Sequence, residues 1–231
     1  MDIKSNVDRI NARIAAAASR SGRPADGITL IAVTKTVDAE QVREAFAAGV
    51  RHFGENRVQE LALKRVQLDL NCTWHFIGHL QGNKAKDALI HSQLIHSVDS
   101  LPLAAELDRR AGARGITADI LAQINISGEQ TKSGIGPEEA LGFVESLAEF
   151  KNIRILGLMA IARLVQNPEE ARPEFKRMKR LFDEISARVN RPNVQIKHLS
   201  MGMSGDFEVA IEEGSSMVRI GTAIFGARQS T

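Results

Sequence analysis

"LIAVTKTVD" (residues 30–38) opens as a β-branched apolar run and closes on Lys35, an ammonium group at the end of a strand. A short apolar run bounded by polar turn formers reads as a strand buried on both faces, the kind that parallel sheets require. Working outward, similar runs return seven times. Strands are expected at Thr29–Thr34, His52–Gly54, Trp74–Ile77, Leu94–Val98, Ala118–Ile126, Ile153–Met159, Gln195–Leu199 and Met217–Ile220. Helical periodicity separates them, most clearly at Ala39–Ala48, Arg57–Asp69, Leu101–Ala111, Pro137–Phe150, Glu169–Val189 and Asp206–Glu213. Strand and helix in alternation imply parallel pairing through crossovers. Eight such units suit a closed barrel, typically of about 250 residues. The fold expected is α/β: a single-domain (β/α)8 TIM-like barrel over residues 29–226, within one domain spanning 1–231. A doubly wound open sheet would also explain the alternation, but no G-x-G-x-x-G follows the first strand.

Ahead of the barrel, Ile3, Val7, Ile10 and Ile14 recur at spacings of four, three and four, one face of an amphipathic helix. An extra N-terminal helix over Asp2–Arg20, stopped by Ser21-Gly22, is expected outside or beneath the barrel. A targeting presequence is the rival reading, and Asp2 and Asp8 count against it. The 231 residues are 43% hydrophobic and 25% charged with a net charge of +2, so no strong field for nucleic acid or membrane is implied. The single cysteine, Cys72, excludes an intramolecular disulfide and a multi-cysteine metal site, and fits a reducing compartment. No apolar run is long enough to span a membrane. A cytoplasmic location is expected, with neither membrane nor nucleic acid as partner.

The C-terminal ends of barrel strands share one mouth, where active sites sit. Glycine-rich and polar segments gather there: "GENR" (54–57), "GHLQGNK" (78–84), "SGEQTKSG" (127–134), "SMGMSGD" (200–206) and "GTAIFG" (221–226). The last two look like phosphate holders. Ser200 and Ser204 supply hydroxyls, while Gly221-Thr222 opens a short helix whose N–H groups suit an anion. Arg219 lies on an otherwise apolar strand, so an inward guanidinium needs a partner such as a ring nitrogen or phosphate. Desolvation in the mouth, helped by Arg219 and Lys132, would favour a neutral Lys35 amine able to condense with an aldehyde. A lysine, a phosphate cup and a cation between them describe a pyridoxal 5′-phosphate (PLP) site.

Seven ordered motifs carry a family resemblance: "AVTKT" (32–36), "HFGENRVQE" (52–60), "WHFIGHLQGNK" (74–84), "INISGEQTKSG" (124–134), "GLMAI" (157–161), "HLSMGMSGDFE" (198–208) and "VRIGTAIFG" (218–226). Over Leu30–Gly226 the chain resembles the pyridoxal phosphate homeostasis protein family, single-domain relatives of the alanine racemase barrel. The resemblance implies that Lys35 carries PLP as an aldimine. It implies that Ser200, Gly221 and Thr222, with Ser204, hold the phosphate, and that Arg219 meets the pyridine nitrogen. Lys132 would sit on the cofactor's oxygen side and Asn56 would line the pocket. Asp38 and Ala162 depart from the family pattern, where proline is frequent, which concerns the shape of the mouth.

The racemase relatives use a tyrosine from a second β domain as the opposite base. This sequence holds no tyrosine, and about ten residues follow the eighth strand, so that two-base mechanism is not expected. Ile161 stands where a ring-stacking imidazole would be. The reading that results is a non-catalytic carrier or buffer of PLP and related B6 vitamers that maintains vitamin B6 and amino-acid pools, expected as a monomer. A weak PLP-dependent racemase is the alternative, and docking on B6-dependent apo-enzymes a third reading. His75 and His79 are four apart but cross a strand end, so no metal site is expected; His198 reads as structural or supporting. "KRMKR" (176–180) reads as a solvated helix face. Met159, Met201 and Met203 pack beside the cofactor or fill gaps, and nothing around Cys72 suggests activation.

Overall fold

Tryptophan, phenylalanine and β-branched residues at every second position make each apolar run a strand whose two faces differ. In β3 (Thr73–Phe76), Trp74 and Phe76 enter the layer between strands and helices, while His75 points into the lumen toward other histidines. In β8 (Met217–Ile220), Val218 and Ile220 join the outer layer, and Met217 and Arg219 turn inward. The other strands are β1 (Thr29–Val33), β2 (His52–Glu55), β4 (Leu94–Val98), β5 (Ala118–Ile124), β6 (Ile153–Ala160) and β7 (Val194–Met203). They pair in parallel in chain order and β8 returns to β1, closing the barrel. The computed structural model describes residues 2–129 and 132–226; Met1, Gln130, Thr131 and the tail from 227 of the expected domain lie outside the described residues.

Surrounding helices are α1 (Ile3–Arg20), α2 (Ala39–Ala47), α3 (Val58–Gln67), α4 (Ala85–His91), α5 (Leu101–Gly112), α6 (Ala140–Leu147), α7 (Arg172–Arg188), α8 (Phe207–Glu212) and α9 (Thr222–Phe225). Asp38 caps α2 by accepting from the Gln41 N–H at 2.8 Å, which gives its place after the lysine motif a physical reason. Element ends differ from expectation by a few residues in most cases, and three differences bear on the architecture. The 168–171 stretch is a 3-10 turn ahead of α7, because Pro168 and Pro173 start successive segments. The short α4 was not anticipated. β7 runs through Gly202 to Met203, four residues beyond its expected end.

The lumen is divided by height. A small apolar cluster of Ile31, Leu94, Leu121, Met159 and Met217 fills part of it, and polar side chains occupy the rest. Gly157, with φ of 151°, lets β6 bend toward β7, where a Cβ would lie 1.9 Å from the His198 carbonyl oxygen. Gly78 performs a similar service beside the mouth, where a Cβ would meet the Asn56 carbonyl at 2.2 Å.

Helix α1 lies outside the barrel against α2, α8 and α9, with Ile3, Val7, Ile10 and Ile14 buried beneath it. Asn6 Nδ2 donates to the Ile224 carbonyl at 2.8 Å, tying α1 to α9 across the seam where the barrel closes. Among the described residues, no helix is long and apolar enough to cross a membrane.

Candidate functional site

The chain around Lys35 is held from both sides by α3. The Thr34 N–H continues the β1–β2 ladder to the Gly54 carbonyl at 3.0 Å. Thr34 Oγ1 donates to Glu55 Oε1 at 2.6 Å, and the buried Lys64 of α3 donates to the same oxygen at 2.6 Å and to the Thr34 carbonyl. Burial pushes the Glu55 carboxyl up, and Lys64 beside it pulls it back down. On the other side, the Thr36 N–H donates to Glu60 Oε2 at 3.0 Å. Thr36 has φ of 62° and is the single non-glycine residue in the left-handed region among the described residues. A β-branched residue there stores about 1–3 kcal/mol of strain, maintained by the surrounding bonds.

Half-buried Lys35 therefore follows β1 on a backbone held at both neighbours. Two residues beyond the Val33–Gly54 pair, it is level with Asn56; on its other flank, Ala32 pairs with Ile220, one residue before Gly221. The register thus brings Lys35, Asn56 and Gly221-Thr222 to neighbouring strand ends. Ser204 Oγ faces the Gly221 N–H at 3.3 Å and the Ala223 N–H at 3.5 Å, so the two glycine-rich loops meet over the first turn of α9.

Arg219 lies beneath that junction. One guanidinium nitrogen donates to Ser200 Oγ at 2.6 Å and the other to the Ala160 carbonyl at 2.8 Å. Burial lowers its pKa to about 10, with Asp206 opposing the shift, so it remains a cation at neutral pH. Ser200 differs from expectation. Because β7 continues past it, Ser200 is a fully buried strand residue bonded to Arg219 and His96, below the loop that carries Ser204.

Asn56 and Lys132 line one cavity of about 250 Å³ with Ile77, His79, Gln123 and Ile161. Asn56 Oδ1 is buried with no hydrogen-bond partner among the described residues. The Lys132 ammonium donates to Glu129 Oε1 at 2.7 Å and to the Ala162 carbonyl at 3.1 Å. Its "SGEQTKSG" neighbours Gln130 and Thr131 lie outside the described residues. His79 pairs with Asp99 at 3.4 Å, whereas both His75 nitrogens are engaged by imidazoles, so the two histidines serve different surroundings. Cys72 is half-buried, and burial raises its thiol pKa.

Sequence reasoning missed Glu55, Glu60 and Lys64 as the clamp, and His52, His75 and His96 as lumen residues. The signal for the histidines was one imidazole beside a large apolar residue in each of three successive strands: "HF", "WHF" and "IHS".

The description "Alanine racemase, N-terminal domain" matches residues 5–229. The Pyridoxal phosphate homeostasis protein of Aquifex aeolicus is 44% identical over 230 residues, covering 99% of this chain and all of that one. A crystal structure of an unknown protein from Bifidobacterium adolescentis superposes with a TM-score of 0.93 at 40% identity, over 97% of this chain and 94% of that one. PipY of Synechococcus elongatus PCC7942, solved with PLP bound, superposes with a TM-score of 0.81 at 39% identity, over 94% of this chain and all of that one. With eight parallel strands, the mouth motifs and these relatives in agreement, the chain belongs to the pyridoxal phosphate homeostasis protein family, built on the alanine racemase N-terminal domain.

Proposed function

We propose that the chain binds PLP in the barrel mouth, covalently through the Lys35 amine, and acts as a carrier or buffer rather than a catalyst. The carrying observation is the register, which sets Lys35, just past β1, and Gly221-Thr222, just past β8, at neighbouring strand ends, with the buried cationic Arg219 on the strand below. PipY, 39% identical, has been solved with PLP bound, which supports the ligand. Asn56 Oδ1, buried with no partner among the described residues, supports the fit, since a bound group can supply one.

When bound, PLP supplies an aldehyde that condenses with a primary amine and a ring that draws electron density. The residues of this chain divide the remaining tasks. Gly221, Thr222 and Ser204 offer N–H and hydroxyl donors to the phosphate, and Ser200 Oγ, bonded to Arg219, supports the guanidinium beside it. Arg219 would hold the ring-nitrogen side of the cofactor; a guanidinium that stays charged would not protonate that nitrogen and would leave the ring a weaker electron sink. Asn56 lines the pocket and Lys132 its far wall. The absence of tyrosine from the sequence, and the aliphatic Ile161 on the cavity, support the carrier reading.

Borohydride reduction of PLP-treated protein should fix the cofactor on Lys35, identified by peptide mass. Retention of that label by Lys35→Ala would refute the site. Robust Cα-deuterium exchange of amino acids that depends on Lys35 would refute the carrier role in favour of a weak racemase. The same reading has a monomer that hands PLP to B6-dependent apo-enzymes. Sedimentation and transfer to an apo-enzyme partner check these two points.

A further inference from the structure

Five polar side chains form one hydrogen-bonded line through the barrel. His52 Nδ1 meets His75 Nε2 at 3.0 Å, His75 Nδ1 meets His96 Nε2 at 2.9 Å, His96 Nδ1 meets Ser200 Oγ at 3.0 Å, and Ser200 Oγ accepts from Arg219 at 2.6 Å. The register explains the line. His52 is level with Thr73, two residues before His75; His75 is level with Leu94, two before His96. Each imidazole is thus one inward position higher than the last, so the three climb the wall diagonally. Ser200 is level with Met217, two before Arg219, and repeats the step on the opposite side. His52, at the foot, lines a cavity of about 230 Å³ at the N-terminal end of the barrel.

The direction of the line follows from its upper end. A guanidinium only donates, so Ser200 Oγ is an acceptor toward Arg219. Among the described residues the only acceptor for the Ser200 hydrogen is His96 Nδ1. His96 must then carry its proton on Nε2 and donate to His75 Nδ1. His75 in turn donates from Nε2 to His52 Nδ1. The protons of three neutral rings are ordered by one cation.

We propose that His96, His75 and His52 are positioning residues for Arg219, an ordered one-way chain that holds Ser200 Oγ as an acceptor and so fixes the guanidinium beneath the cofactor ring. Protonation of His52 or His75 would set two N–H groups face to face, and of His96 an N–H against the Ser200 O–H, and each would reverse the bonds above it. The environment opposes that: burial holds His75 at about pKa 3 and His96 well below the ordinary value, with His198 from β7 and Arg219 from β8 adding unfavourable charge. The chain matters for cofactor binding only if PLP occupies the mouth, and so rests in that respect on the function proposed above.

Two measurements test it independently. In the cofactor-free protein, long-range ¹H–¹⁵N histidine NMR should show His52, His75 and His96 as neutral Nε2–H tautomers near pH 7. Ser200→Ala should disturb the His96 signals first. An Nδ1–H tautomer at any of the three positions, or no response to Ser200→Ala, would overturn the proposal whether or not PLP binds. In PLP-loaded protein, His96→Phe should shift the absorption band and speed cofactor loss about tenfold, while His96→Asn, whose Oδ1 can still accept from Ser200, should restore most of both. The ³¹P resonance should stay unchanged, because the chain acts on the ring side and not the phosphate. Equal behaviour of the Phe and Asn variants, or no change in either, would overturn it. Ser200→Ala, a smaller change, carries the same comparison if His96→Phe does not fold. Failure of the wild-type protein to take up PLP would refute the proposed function and leave the NMR result to decide the chain.

Discussion

Single residues set the charge balance inside this barrel. Glu55 and Lys64 are a buried pair, and removing one partner strands the other. Lys64→Met should cost about 3–5 kcal/mol in urea unfolding, and Glu55→Gln combined with it should recover part of that loss. A single-variant cost below about 1 kcal/mol would show that water reaches Glu55. The histidines give a second prediction. In the folded state His75 takes up a proton only near pH 3, and burial likewise holds His96 well below the ordinary imidazole value. The unfolded chain takes them up near pH 6.5, so it binds more protons and stability falls on acidification. Between about pH 6.5 and 5 the slope should approach about 2.7 kcal/mol per pH unit for two protons. Denaturant midpoints across that range check it, and a flat profile would contradict the burial. Residue-level legibility was uneven. Arg219 stood out because a cation on an apolar strand needs a partner. Ser200 misled because "SMGMSGD" reads as loop, whereas the strand continues through its first half. The histidines were hidden because only the stagger between strands makes three scattered imidazoles neighbours.

At the scale of elements, glycine positions separate packing from propensity. Gly157→Ala should break the β6–β7 junction, since its methyl would fall 1.9 Å from the His198 carbonyl. A cost of several kcal/mol is expected, as for other overpacked, strained sites, read as a drop in thermal midpoint. Gly142 sits in α6 with nothing near its missing Cβ, and Gly142→Ala should stabilise by about 0.5–1 kcal/mol. If the two substitutions behaved alike, the close approach at Gly157 would be wrong. Most strands were legible because β-branched runs between turn formers have few other readings. The seven-residue α4 was not, since Ala85, Ala88 and Leu89 provide too little apolar periodicity to distinguish a short helix from a loop. The clamp by α3 was equally hidden: Glu60 and Lys64 look like solvated i,i+4 residues until the strand end is seen beneath them.

For the whole molecule, the decisive feature is closure. β1 and β8 complete the ring, and α1 spans their seam by packing on α8 and α9. Ile10→Ala, at a fully buried position on α1, should cost about 2–5 kcal/mol and weaken PLP retention through α9. Loss of stability with unchanged retention would uncouple the helix from the mouth. The barrel was legible from strand count and order. Where α1 docks was not, because an amphipathic stripe names no partner. That docking has a consequence during synthesis. α1 leaves the ribosome long before α9, so Asn6 must wait for Ile224, 218 residues later. At about 5–20 residues per second, its greasy stripe stays unseated for roughly 10–40 s. A circular permutant that makes α1 follow α9 would shorten that exposure, and nascent chains carrying it should need less chaperone help.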